Sequence, residues 1–285
     1  MPVIIIDEPD DPRIAAFRDV RERDLVGRDG MFVAEGRVVL EKLVGSAQCR
    51  PVSLLIAAKR VESLAPLVAR LPDAVPVFVA AQPVIDAIAG FPLHRGILAI
   101  GERVAPLPAD ALLADIGERG GDILVLMGIA NHDNMGGIFR NAAAFGIAAV
   151  LLDATCCDPL YRKAIRVSVG AALLVPFARL TPDEDPVALV GRHGFVPVAL
   201  SPTGACRLAD FVPAWRNALF LGAEGPGLPG ALIDAVASVR IDMAGGFDSL
   251  NVATTSGIVA HHLSVSRPPS GEAERGSGVD GAPAA

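Results

Sequence analysis

Apolar positions in the first third of the chain switch several times between helical and alternating or continuous spacing. Residues 13–26 (RIAAFRDVRERDLV) are amphipathic at helical period, residues 31–36 form a short strand-like run, and residues 37–45 return to helical period. Residues 52–58, 75–80 and 96–104 read as buried strands, with helical stretches at 61–71 and 82–91 between them. This alternation predicts a small α/β unit over residues 1–105. Residues 106–121 hold two prolines, a Gly-Gly pair and a short helical piece, and read as a linker. From 122 to 266 strand-like runs recur at 123–127, 148–152, 174–179, 195–200, 217–222 and 238–241, mostly separated by helical stretches. That order predicts a second α/β unit with a mainly parallel sheet. Its last helix is expected from Asn251 to Ser264, capped by Asn251 or Ser249. Residues 267–285 are Pro, Gly, Ser and Ala with scattered charge, a composition expected to stay disordered.

The stretch 122–153 carries the strongest local pattern. A buried strand (Ile123 to Met127) leads into a polar loop with Asn131, His132, Asp133 and Asn134. A helix follows with Ile138, Ala142 and Phe145 on one stripe, then a second strand from Ala148 to Leu152. Ligands of parallel sheets gather at the carboxyl ends of the strands, where this loop would lie. Arg140 stands one turn into an otherwise apolar helix and needs a partner or a task there.

Composition narrows the classes. Hydrophobic residues make up 52% and aromatics 5%, so the core is aliphatic. No apolar run approaches the roughly 20 residues of a membrane span, and the acidic N-terminus lacks a signal-peptide pattern. A cytoplasmic address without membrane contact is expected. The four cysteines have neither metal-ligand spacing nor a disulfide framework, and read as reduced core or loop residues. His261 and His262 are adjacent on a helix and point to different faces, so no metal is expected there. The net charge of −7 argues mildly against nucleic acid, yet arginines crowd residues 13–37, and Arg162, Lys163, Arg166 and Arg179 form a second group. Either group could be a solvated helix face.

Two familiar phosphate loops are missing: no Gly-x-Gly-x-x-Gly follows a first strand, and the Gly-rich 221–229 lacks a Gly-Lys-Ser/Thr ending. What remains is three polar, Gly-bearing loops after strands, at 128–137, 222–230 and 242–251. Together they suggest a ligand site built largely from backbone.

At this point the residues match a family. Asn134, Gly136, Arg140, Ala142 and Phe145-Gly146 resemble the first motif of the SpoU (TrmH-type) RNA ribose 2'-O-methyltransferases of the SPOUT superfamily. Gly222, Glu224 and Gly227 are similar to the second motif. Ile241, Met243, Gly245, Ser249, Leu250, Asn251 and Val252 are similar to the third. Residues 158–171 look like the segment between the first two motifs, and residues 32–43 and 94–104 look like the family's substrate-binding domain. The likeness covers roughly residues 12–265. Asp242 departs from the pattern, standing where the family usually has Pro, and Ala253-Thr254-Thr255 replaces a commoner Ser-containing helix start.

The resemblance implies an α/β fold whose C-terminal sheet has helices on both faces and a deep trefoil knot, after a small ribosomal-protein-like N-terminal α/β domain. It implies S-adenosylmethionine as cofactor, held near Gly222, Ile241, Met243, Ser249 and Leu250, and a homodimer with the active site at its interface. The apolar stripes of the first-motif helix and the final helix are the expected dimer contact. Structured RNA, ribosomal or transfer, is the implied substrate, with Arg37, Arg162, Lys163 and Arg166 as RNA contacts. Arg140 is the central catalytic residue, its guanidinium holding a phosphate and stabilising a developing alkoxide. Asn134 would bond the ribose or orient Arg140, Glu224 would pair with Arg140 or position substrate, and Asn251 would shape the pocket. Tyr161 could stack on a base or simply pack. Two other classes stay open: a non-catalytic RNA-binding homologue acting in ribosome assembly, and a small-molecule α/β enzyme.

Overall fold

A computed structural model describes residues 3–18, 30–90, 92–104, 106–117, 120–245 and 248–266. The expected tail at 267–285 and most of the expected helix at 13–26 lie outside them. What is described of that helix is a short 3-10 turn, Pro12–Phe17, whose first N–H groups are met by Asp11.

The first sheet orders its strands β1-β4-β3-β5-β2. These are β1 (Val3–Ile6), β2 (Met31–Glu35), β3 (Cys49–Ala57), β4 (Val77–Ala80) and β5 (Ile97–Arg103). β5 pairs antiparallel with both β2 and β3, while β4 runs parallel to β1 and β3. The second sheet is all parallel, in the order β10-β12-β9-β11-β6-β7-β8. Its strands are β6 (Ile123–Met127), β7 (Ala149–Leu152), β8 (Phe177–Arg179), β9 (Val196–Leu200), β10 (Cys206–Arg207), β11 (Asn217–Gly222) and β12 (Ala237–Arg240). The expected strand at 174–179 is shorter than its apolar run, because Ala171–Leu173 coils into a 3-10 turn first.

Alternation along the central strands sorts side chains to two faces. Leu124, Leu126, Leu219 and Leu221 join one core with α5 (His132–Ala144), α6 (Arg162–Val167) and α9 (Val252–Ser266). Ile123, Val125, Ala218 and Phe220 join the opposite core with α4 (Ala109–Gly117) and α7 (Pro186–Arg192). Helices therefore cover both faces. α4 corrects the linker reading: Ala109, Leu112, Leu113 and Ile116 recur at helical spacing and are buried against the second sheet. Pro106 and Pro108 merely precede the helix, where proline is tolerated.

The first of these cores does not stop at the second sheet. It continues through Val39, Leu40 and Leu43 of α1 (Arg37–Val44) to one face of the first sheet. Polar ties cross the same contact. Ser46 Oγ donates to Leu173 O (2.5 Å), Gln48 Nε2 donates to Leu174 O (2.6 Å), and the Arg103 guanidinium lies 3.8 Å over the Phe177 ring. Arg162 and Glu35 form an ion pair at 2.7 Å with side-chain exposures of only 19% and 13%.

The apolar stripes of α5 and α9, expected to build a dimer contact, are used inside the chain. Met135, Ile138, Phe139 and Ala142 pack against the sheet, as do Val259, Ala260 and Leu263. The two helices also pack on each other so closely that a Cβ on Gly137 would lie 2.7 Å from the Ala253 Cβ.

Candidate active site

In the second sheet β6, β7 and β8 lie to one side and β9, β10, β11 and β12 to the other. Ligands of parallel sheets gather at the carboxyl ends of the strands. A cavity of about 730 Å³ lies at the ends of β9, β11 and β12. Its lining comes mainly from Leu200–Pro202 after β9, Leu221–Leu228 after β11, and Ile241, Met243 and Asp248–Val252 before and at the start of α9.

The β11 loop is closed on itself. Gly227 N donates to Ala223 O at 3.0 Å, and the turn passes so near Gly222 that a Cβ there would meet Gly227 C at 2.3 Å. Only glycine permits that approach, so residue 222 presents backbone alone. Gly222, Ile241, Met243, Ser249 and Leu250, the five residues expected around a cofactor, all line this one cavity. Its lining is apolar or backbone for the most part. Glu224 and Asp248 are the ionisable residues among the described lining, so the site is net negative.

Asn251 ties the cavity to α5. Its Oδ1 accepts from Ala253 N (2.9 Å) and Thr254 N (3.2 Å), capping α9. Its Nδ2 donates to Asn134 Oδ1 (2.9 Å) and to Glu224 Oε1 (3.0 Å). One amide, on the third of the loops singled out in the sequence, thus holds one residue from each of the other two. Asn134 is buried, at 6% exposure.

Arg140 is placed differently from the expectation. It is exposed, lies outside the cavity lining, and makes no hydrogen bond or ion pair among the described residues. The expected Glu224–Arg140 pair is therefore not formed: Glu224 is taken by Asn251, and Asn134 accepts from Asn251 rather than orienting Arg140. Nor is Arg140 spent on a structural salt bridge.

The four basic residues expected to meet RNA divide. Arg162 is turned inward and pairs with Glu35, tying α6 to β2. Arg37 pairs with Glu41 at 2.8 Å and Lys163 with Asp133 at 2.6 Å, both in exposed positions. Arg166 is exposed and makes no ion pair among the described residues. The sequence reading passed over Lys59, Arg60 and Arg95. All three are exposed without an ion pair among the described residues, at the end of the first sheet where β3 ends and β5 begins. Arg95 crosses Gly36 and Arg60 passes Gly96. The signal was present as two short basic pairs, Lys59-Arg60 and His94-Arg95, flanking strands.

Tyr161 packs on His132, with ring centroids 4.1 Å apart. His261 faces Phe145, whereas His262 Nε2 bonds Phe211 O (2.9 Å), so they do point apart. Among the described residues there is no cluster of metal-binding side chains, and no helix is long and apolar enough to cross a membrane. The four cysteines are free thiols. Burial pushes the Cys156 thiol up to about 12, and those of Cys49 and Cys157 up to about 11.

The family model described as SpoU rRNA Methylase matches residues 122–261. An uncharacterised tRNA/rRNA methyltransferase of Mycobacterium tuberculosis is 38% identical over 272 residues, covering 90% of this chain and 92% of its own. A 23S rRNA (guanosine-2'-O-)-methyltransferase of Coxiella burnetii is 30% identical over 176 residues, 60% of this chain and 69% of its own. Among solved structures, an AdoMet-bound rRNA methyltransferase from Sinorhizobium meliloti is similar at TM-score 0.75 and 25% identity, covering 91% of this chain and 97% of that one.

Proposed function

The chain belongs to the SpoU methylase family of RNA methyltransferases, and from that premise we propose that it transfers a methyl group from S-adenosylmethionine to a ribose 2'-hydroxyl of structured RNA. The observation that carries this reading is the Asn251 amide. It joins Asn134 and Glu224 at a cavity that Gly222, Ile241, Met243, Ser249 and Leu250 line.

The cavity fits the cofactor. Its volume falls in the range of about 300–1,000 Å³ usual for small-molecule sites. Its lining is mainly apolar side chains and backbone, which suits an adenosyl group. Its ionisable lining, Glu224 and Asp248, is acidic, which suits a sulfonium cation. When bound, S-adenosylmethionine supplies the electrophilic methyl group; the chain supplies position and charge. Glu224 is fixed by Asn251 at the cavity wall, and Asn134 is fixed behind it. The guanidinium of Arg140, which has no ion pair among the described residues, would hold an RNA phosphate and stabilise negative charge building on the 2'-oxygen.

Arg140 lies outside the lining of its own chain's cavity. That supports a homodimer in which the arginine of one subunit completes the site of the other. The reading carries with it the trefoil knot of the C-terminal unit. Lys59, Arg60, Arg95 and Arg166 are the cations best placed to face RNA, since they make no ion pair among the described residues. Titration calorimetry tests the premise: the protein binds S-adenosylmethionine at one site per chain, and a folded protein that shows no heat removes the reading.

A further inference from the structure

Between Ile241 and Met243, both in the cavity wall, the chain carries a charged residue that points the other way. Asp242 accepts a close hydrogen bond from Arg207 Nε of the edge strand β10, and its second oxygen faces Arg240 Nε at 3.3 Å. Arg240 is itself anchored, with Nη1 donating to Gly204 O (2.8 Å) and Ala205 O (3.0 Å) in the turn that leads into β10. Arg207 also reaches Asp210 at 3.9 Å. Both arginines hold the Asp242 carboxyl below the usual carboxylate range, the Arg207 hydrogen bond contributing most. β10 is only two residues long and pairs with β12 over Cys206–Val239 and Arg207–Arg240. So short a ladder has few backbone bonds to hold it. The ion-paired carboxylate closes it at the point where the chain leaves β12 for the cavity.

We propose that Asp242, clamped by Arg207 and Arg240, is a positioning residue that sets the Ile241–Met243 segment for the methyl donor. This rests on the cavity being the S-adenosylmethionine site. Asp242 does not line the cavity, and its effect passes through the backbone it fixes. A clamp of charges half open to solvent is screened by salt.

The test compares the unaltered protein with Asp242→Asn, Arg207→Met and the double variant. Hydrogen exchange is measured at residues 241–245 without cofactor, and S-adenosylmethionine binding at low and high salt. The clamp predicts faster exchange at 241–245 in each single variant and a loss in affinity of about two- to fivefold, the range of exposed ion pairs. It predicts that the double variant is no worse than the worse single one. The unaltered protein should weaken in 1 M salt toward the level of Asp242→Asn, and Asp242→Asn should be nearly insensitive. In turnover, KM for the donor rises and kcat holds. Additive losses, or exchange at 241–245 unchanged in Asp242→Asn, overturn the clamp. If the unaltered protein shows no binding, the cofactor reading fails and the positioning role falls with it; the exchange result alone would then say only whether the ion pairs stiffen the segment.

Discussion

Asn251 is asked to do two separable things, and three substitutions separate them. Asn251→Ala removes the acceptor that caps α9 and the donor shared by Asn134 and Glu224. Loss of a cap costs about 1 kcal/mol. Leaving the buried Asn134 carbonyl without its donor costs about 1–2 kcal/mol more. The sum, about 2–3 kcal/mol, lowers the melting temperature by about 4–12 °C for a chain of this size. Asn251→Ser keeps a capping oxygen but is too short to reach either partner, so it loses only the second part, about 1–2 kcal/mol. Asn251→Asp keeps the cap and sets a carboxylate against Glu224 Oε1 where an amide donor stood 3.0 Å away. Two like charges at that separation raise the pKa of one of them. A carboxyl whose folded pKa is raised contributes stability at low pH and loses it as pH rises. Asn251→Asp should therefore gain on the unaltered protein as pH falls from about 7 toward 4. Thermal unfolding of the four proteins between pH 4 and 8 is the assay. Equal melting of the Ala and Ser variants would refute the capping half, and an Asp variant without this pH response would refute the contact with Glu224.

Three further outcomes follow from the same coordinates. Gly222→Ala drives a methyl into the Gly227 carbonyl carbon at 2.3 Å; it should lower cofactor affinity at least about tenfold by calorimetry, because backbone cannot yield as a side chain does. Replacing Lys59, Arg60 and Arg95 together by Gln should weaken RNA binding and flatten its salt dependence. Each lost phosphate contact removes about 0.7–0.9 from the slope of log affinity against log salt, and an unchanged slope would place the RNA elsewhere. Alkylation of the native protein at pH 8, read by mass spectrometry, should spare Cys49, Cys156 and Cys157, whose thiols are pushed up to about 11 or 12; rapid labelling of Cys156 would contradict its burial.

The second sheet was legible because its strands are buried on both faces and read as continuous apolar runs between helical stretches. β1 and β10 were not. The first is four apolar residues at a sheet edge, too short to carry a period, and the second is a two-residue ladder beside which Asp242 bridges Arg207 and Arg240. The helix at Ala109–Gly117 had the right spacing of Ala109, Leu112, Leu113 and Ile116, but neighbouring prolines and glycines suggested a linker. At the site, glycine spacing marked the loops, and the residues chosen for the cavity do line it. Which polar groups bond each other was not legible. Asn251 and Asn134 are separated by 117 residues, and nothing local distinguishes that partner from Arg140. The third wall of the cavity, Ser201-Pro202 after β9, was likewise missed, since a Ser-Pro turn reads as an ordinary loop.

Arg140 decides the central claim. Incubation with S-adenosylmethionine carrying a labelled methyl group and RNA, followed by digestion to nucleosides, should place the label on a ribose 2'-oxygen. Arg140→Ala should abolish that product while retaining cofactor affinity and melting within about 0.5 kcal/mol of the unaltered protein, because the exposed side chain makes no hydrogen bond or ion pair among the described residues. Label on a base, or full activity in Arg140→Ala, would contradict the account.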